Sequence, residues 1–446
     1  MRIISLKRLF AAVALMAAMT NASFTQTVNT SLAAQAALVT EFEVNGLKVL
    51  VKRRTSSPTV AAGLFIRGGS QNLRADNAGI EDFMLSAATE GSAKYPREAM
   101  RKYLASTGAS ISSGATYDYS VIAMATTREA LDRSWDVFTD VILHPAFEAA
   151  SVEQTRQALL NNLRSDEDTP DGALQSQVDK TIYAKTAYSN DPNGTIDNIS
   201  KFTVADLRAY HQQMLQTSRL LLVVVGEVDI EGLKARVTSS FGRLPKGTYT
   251  SPQAPAFDFS KGTLDVTSRP LPTNYIEGVF NAPNISDPDF YAMRMATSIL
   301  RDRVFEEVRV KRNLSYAPNA DMGSLNGNTG NIYVTAVDAN QSIGLMLAEI
   351  KKLKTEPVSL DDISGTRGQF VTTYYIGQET NAAQAAELAR YELTGGGWRN
   401  SIQFFDKMSA VTPADIQRVS QKYMKNVRFV VIGDPKSVDR SVFLPG

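Results

Sequence analysis

A chain of 446 residues with 43% hydrophobic and 21% charged residues is globular and long enough for two or three domains of ordinary size. It has no cysteine, which excludes disulfides, thiolate metal sites and thiol nucleophiles, and only two histidines, His144 and His211. A formal charge of +1, without basic blocks, argues against nucleic acid as a partner.

Residues 1–36 read as an export signal and leader. Arg2, Lys7 and Arg8 precede the apolar run Leu9–Met19, with small-residue exits at Thr20–Ala22 or Ala34–Ala36. The run is too short for a bilayer and no other stretch qualifies, so the expectation is an exported protein without a membrane span, periplasmic in a Gram-negative bacterium. Phe42–Arg53 predicts a hairpin around Asn45-Gly46, and Val60–Arg67 a third strand. In Gly79–Glu90, Ile80, Phe83, Met84 and Ala87 have helical apolar spacing, with Asp82, Leu85 and Ser86 on the other face. Asp82 with Glu81 or Glu90 could imitate a carboxylate pair, but a solvated helix face is the simpler reading. Gly108–Thr126 predicts another hairpin, followed by helices at Arg128–Leu143 and Ser151–Asp166 and a buried strand at Leu220–Gly226.

Two places echo each other. Phe202–Leu207 (FTVADL) precedes a helix and then LVVVG; Val411–Ile416 (VTPADI) precedes a helix and then FVVIG. Thr203 and Thr412 are suited to cap those helices, with Asp206 and Asp415 in the first turn. A Pro-, Gly- and Ser-rich linker, 242–262, separates the copies. The pattern predicts one α+β fold used twice, over 37–241 and 263–446, each half an antiparallel sheet with helices on one face.

In the second half, Leu300, Val304 and Val308 form an apolar stripe on a helix that ends in Arg309, Lys311 and Arg312, where cations offset the helix dipole. Asn313 can take the left-handed turn that stops it. Leu314–Asp321 then reads as a strand, turned back by Gly327–Gly330 into a second strand, Asn331–Asp338. Arg309 and Tyr316 can thus be aimed at one point. Spacing alone favours a structural reading, with Arg309 serving the dipole and Tyr316 half in the core.

The segment Phe305–Tyr316 (FEEVRVKRNLSY) resembles the Arg/Tyr motif of the insulinase/pitrilysin-like zinc metallopeptidases. The resemblance runs from about Glu41 to the C-terminus and implies two halves closing like a clamshell. It also implies that Arg309 and Tyr316 complete an active site. Active members carry His-x-x-Glu-His, with a distant Glu as third ligand, leaving zinc one open position for water. Here Asp82, Leu85 and Ser86 stand at the motif positions and Asn162 at the distal one. His144 and His211 are not read as a ligand pair, so no metal is expected in this chain.

The resemblance further implies a division of labour, in which a zinc-less subunit lends Arg309 and Tyr316 to a homologous, zinc-bearing partner with an intact motif. Gly108–Thr126 would match the family strand along which a peptide substrate lies, with Ser112 where Asn is usual. The expected function is the non-catalytic subunit of a heterodimeric zinc peptidase, inactive alone. The alternative is an inert peptide-binding or scaffold protein of the same fold.

Overall fold

Asn45 and Gly46 both take positive φ, 49° and 86°, which a two-residue hairpin turn requires, and they join β1 (Val39–Val44) to β2 (Leu47–Arg53). The computed structural model describes residues 32–445, so the expected signal run at Leu9–Met19 lies outside the described residues. Beyond the hairpin come β3 (Thr59–Arg67), β4 (Ser110–Ala115), β5 (Tyr119–Thr127) and β6 (Leu220–Gly226). They form a six-stranded sheet in the order β1-β2-β6-β3-β5-β4, antiparallel except for β2 with β6. The longer helices of this half are α1 (Ile80–Ala88), α2 (Arg97–Thr107), α3 (Leu131–Leu143), α4 (Ala149–Asp168), α5 (Pro170–Ile182), α6 (Val204–Met214) and α7 (Ile230–Phe241).

The second half repeats the plan without the first strand. Strands β7 (Thr263–Ser268), β8 (Asn274–Asn281), β9 (Asn319–Met322), β10 (Thr329–Ala336) and β11 (Arg428–Gly433) order as β7-β11-β8-β10-β9, and β7 with β11 is again the parallel pair. Its longer helices are α8 (Phe290–Val304), α9 (Ala339–Thr355), α10 (Leu360–Gly377), α11 (Asn381–Thr394) and α12 (Pro413–Tyr423). Thr203 with Asp206 and Thr412 with Asp415 form matching capping boxes at α6 and α12.

Helices on one face account for only half the packing of each sheet. Alternate residues of β6, Leu220, Leu222 and Val224, face the first half's own core; Leu221, Val223 and Val225 face Ala385, Leu388 and Ala389 of α11, which belongs to the second half. In β11, Phe429 and Val431 face inward, while Val430 and Ile432 meet Leu174, Val178 and Ile182 of α5 from the first half. Each half thus covers a sheet face of the other. Residues 242–262 hold no helix or strand, but they are tied to the first half. Asn45 donates to the Leu244 carbonyl (2.8 Å), and Tyr249 to the Asn72 side chain (3.0 Å). No helix among the described residues is long and apolar enough to cross a membrane.

Candidate functional site

Leu300, Val304 and Val308 are fully buried, as their spacing requires. Past Val304 the helix widens into a π-helical turn, Phe305–Val310, in which the Lys311 N–H donates to the Glu306 carbonyl five residues back (2.9 Å). Asn313 takes the left-handed conformation (φ 50°) and ends it. The expected strand Leu314–Asp321 begins only at Asn319, because Pro318 has no N–H to offer a ladder and β10 pairs back no further than Asn319. The second strand is shifted too, to Thr329–Ala336.

Tyr316 is therefore not half core but 79% exposed. The Arg309 guanidinium lies over its ring at 4.0 Å. The flanking cations are neutralised, since Glu307 pairs with Lys311 (2.6 Å) and Arg312 (2.5 Å), and their hydrogen bonds hold its carboxyl below the usual value. Arg309 has no carboxylate partner among the described residues, so its charge and the Tyr316 hydroxyl are presented together at the surface. The structure brings the predicted pair into contact.

The degenerate positions form no such site. Asp82 and Leu85 are buried and Ser86 is partly buried, whereas Asn162 faces solvent on α4. This corrects the expectation of a solvated face: α1 is enclosed on nearly every side, by the sheet core, by β4 and by α4. Burial pushes the Asp82 carboxyl up to about 6, against a backbone hydrogen bond at Ala115, and the nearby Asp191 and Glu81 carboxylates add to the rise. Zinc does not fit these residues. Leu85 has no donor atom, and among the described residues no three His, Cys, Asp or Glu side chains stand close enough to hold an ion. Against the expectation that neither histidine has a partner at ligand spacing, His144 pairs with Asp140 four residues before it (3.0 Å), one carboxylate that completes no metal set among the described residues; His211 bonds the Ile142 carbonyl (2.7 Å) edge-on to Phe147. Ser112 is exposed on β4, the edge of its sheet.

Sequence reasoning placed Glu81 on a solvated face and missed its buried ion pair. It is 1% exposed and accepts from Arg219 (2.6 Å), from the Ser120 hydroxyl (2.5 Å) and from the Tyr210 hydroxyl. Arg219 lies in turn over the rings of Tyr210 and Tyr249. Both oxygens of the carboxylate are satisfied, so the helix that would carry a metal motif is fixed by an internal ion pair. The sequence shows it only as one of two adjacent acids, Glu81 and Asp82, in the first turn of α1.

Two family models match consecutive parts of the chain: insulinase (peptidase family M16) over residues 48–195, and the peptidase M16 inactive domain over residues 201–370, which includes Arg309 and Tyr316. The chain belongs to peptidase family M16. Mitochondrial-processing peptidase subunit beta of Saccharomyces cerevisiae is 20% identical over 420 residues, covering 88% of this chain and 90% of the relative. Subunit 1 of the Bos taurus cytochrome b-c1 complex is 22% identical over 259 residues, 57% of this chain and 54% of the relative. Among solved structures, a protease from Helicobacter pylori superposes with a TM-score of 0.81 at 16% identity, over 89% of this chain and 99% of that one. A peptidase M16 inactive domain from Pseudomonas fluorescens gives 0.78 at 19% identity, over 89% and 97%. These neighbours share the fold. The second half of this chain and the Pseudomonas fluorescens neighbour are both similar to the M16 inactive domain.

Proposed function

We propose that the chain is the zinc-less subunit of a heterodimeric M16 metallopeptidase and lends Arg309 and Tyr316 to the active site of a zinc-bearing homologue. The observation that carries this reading is the exposure of Tyr316 beneath Arg309. A tyrosine 79% exposed contributes little to its own fold, yet Arg309 holds the ring at 4.0 Å with the hydroxyl uncommitted among the described residues. As water attacks a scissile carbonyl in the partner's site, the Tyr316 hydroxyl donates to the developing oxyanion. Arg309, a planar fork of donors, orients a neighbouring peptide carbonyl or carboxylate. On this reading zinc belongs to the partner alone, and the purified chain holds none at stoichiometric level by elemental analysis.

The free edges support a peptide as substrate. β4 ends the first sheet and β9, three residues after Tyr316, ends the second, so each offers unpaired backbone groups to an added strand. The test is to mix the chain with a zinc-bearing M16 homologue from the same source. A complex with one copy of each, hydrolysing peptides far faster than either alone, is expected. A zinc-bearing chain fully active unaided would sink the reading in favour of an inert scaffold.

A further inference from the structure

Where α8, α10 and α11 meet the start of β5 lies an open cavity of about 350 Å³ that plays no part in the reading above. Its walls are aromatic. Phe370 and Tyr374 come from α10 one turn apart, Phe404 follows α11, and Tyr119 reaches in from β5. Phe404 and Tyr374 are stacked at 4.9 Å. Two guanidiniums, Arg294 from α8 and Arg390 from α11, share the lining with the Glu387 carboxylate.

The two cations differ. Arg390 is held by Glu387, one turn before it, at 2.5 Å. Arg294 has no carboxylate or hydrogen-bond acceptor among the described residues; its guanidinium lies over Phe370 (5.3 Å) and Phe404 (5.9 Å). Burial, and then the charge of Arg390, push its pKa below the usual value, with the nearby Glu387 carboxylate acting against them. Taking a cation out of water costs more than an aromatic face returns, and the one carboxylate on the cavity wall, Glu387, is bonded to Arg390 instead. Nor does the surrounding fold call for a charge: Met293, Met295 and Ala296 beside it are buried and apolar. A partly buried guanidinium that lines a cavity with no carboxylate bonded to it leaves its donors open to an anion there.

We propose that this cavity binds an aromatic carboxylate, free or as the last residue of a peptide. The carboxylate takes both arms of the Arg294 fork, and the ring lies among Phe370, Tyr374 and Phe404. A cavity of this volume, at the small end of ligand sites, suits a ligand about the size of an amino acid. Since Glu387 already neutralises Arg390, the site offers one uncommitted positive charge and selects a monoanion.

Isothermal titration of the full chain tests this with N-acetyl-phenylalanine and its amide, and with a short peptide ending in phenylalanine as free acid and as amide. Both acids are expected to bind, and the amides to bind at least about 10-fold more weakly. Binding of the peptide acid alone would assign the site to chain ends, and equal binding of both acids to small molecules; either supports the shared chemistry. No heat with either acid, or no difference between acids and amides, would overturn it. Arg294→Met should lower acid affinity about 10- to 100-fold while the melting temperature of the unliganded chain holds or rises, because a lone charge becomes an apolar side chain. A lower melting temperature with unchanged affinity would return Arg294 to packing. Should that variant not fold, Glu387→Gln decides: it removes the competing carboxylate, so acid binding tightens several-fold, and unchanged or weaker binding refutes the site.

Discussion

Tyr316 shows how far a single exposed hydroxyl can be asked to act. Losing one donor to a developing oxyanion costs about 10²–10³ in kcat. Tyr316→Phe keeps the ring under Arg309 and removes only the hydroxyl, so in the reconstituted heterodimer it should lower kcat by that factor while complex formation and melting temperature stay close to wild type. Unchanged kcat would make the pair structural after all. Glu81 is the opposite case, a residue whose value is internal. Glu81→Gln keeps the shape but leaves Arg219 as an uncompensated charge that is 6% exposed, and breaking a buried pair in this way costs about 3–5 kcal/mol. Urea denaturation should show that loss, with zinc content and Arg309 unaffected; a cost below about 1 kcal/mol would mean water reaches the pair.

At the scale of elements, the parts that were legible are those fixed by local chemistry. Asn45-Gly46 needs two positive-φ residues, and the Thr203 and Thr412 boxes satisfy helix N–H groups within one turn, so sequence alone places them. The Arg309/Tyr316 spacing was legible as a motif, but not its exposure, which depends on Pro318 keeping the preceding residues out of the ladder. The burial of Asp82 escaped for a different reason: α1 is covered by elements distant in sequence, which a nine-residue pattern cannot report. The covering of β6 by α11 was likewise invisible, because a strand apolar on both faces, LLLVVVG, does not say what covers either. That contact makes a prediction across the halves. Leu388→Ala, in the second half, should cost about 2–5 kcal/mol, since Leu388 is 3% exposed against β3 and β6. Amide exchange should then speed up in β6 of the first half; acceleration confined to α11 would show that the helix is not what stabilises that strand.

The whole molecule is joined by groups that prefer to be neutral. Asp118, in the first half, accepts from the Asn326 N–H of the second (2.8 Å), and burial raises its carboxyl above the usual range. Asp179 on α5, bonded by Gln175 (3.0 Å) and Tyr117 (3.3 Å), is pushed up to about 7 by burial, with Asp191 and Glu277 of β8 adding to the rise. Asp82 stands at about 6, and Asp191 and Glu277 are raised, each chiefly by burial. No cation is among the causes that act on Asp82, Asp179, Asp191 or Glu277. A carboxyl whose folded pKa is raised is neutral in the folded state at pH values where the unfolded chain has already ionised it. Its stabilising contribution is complete below about pH 4 and is lost as pH climbs to 6 and 7. Carboxyls held low, such as Asp289 and Asp140, are ionised in both states above about pH 5 and leave this window untouched. Among the described residues His211 opposes the trend: burial lowers its pKa, so it disfavours the folded state as pH falls below about 6.5. One histidine does not offset five carboxyls. The urea midpoint should therefore be higher at pH 5.5 than at pH 7.5, by an amount on the order of a few kcal/mol in unfolding free energy. Asp179→Asn, neutral at every pH and able to keep the Tyr117 hydrogen bond, should flatten that slope. A midpoint that rises from pH 5.5 to 7.5, or a slope unmoved in Asp179→Asn, would show that these carboxyls are ionised and solvated in the folded protein, and that the two halves stand further apart than this packing allows.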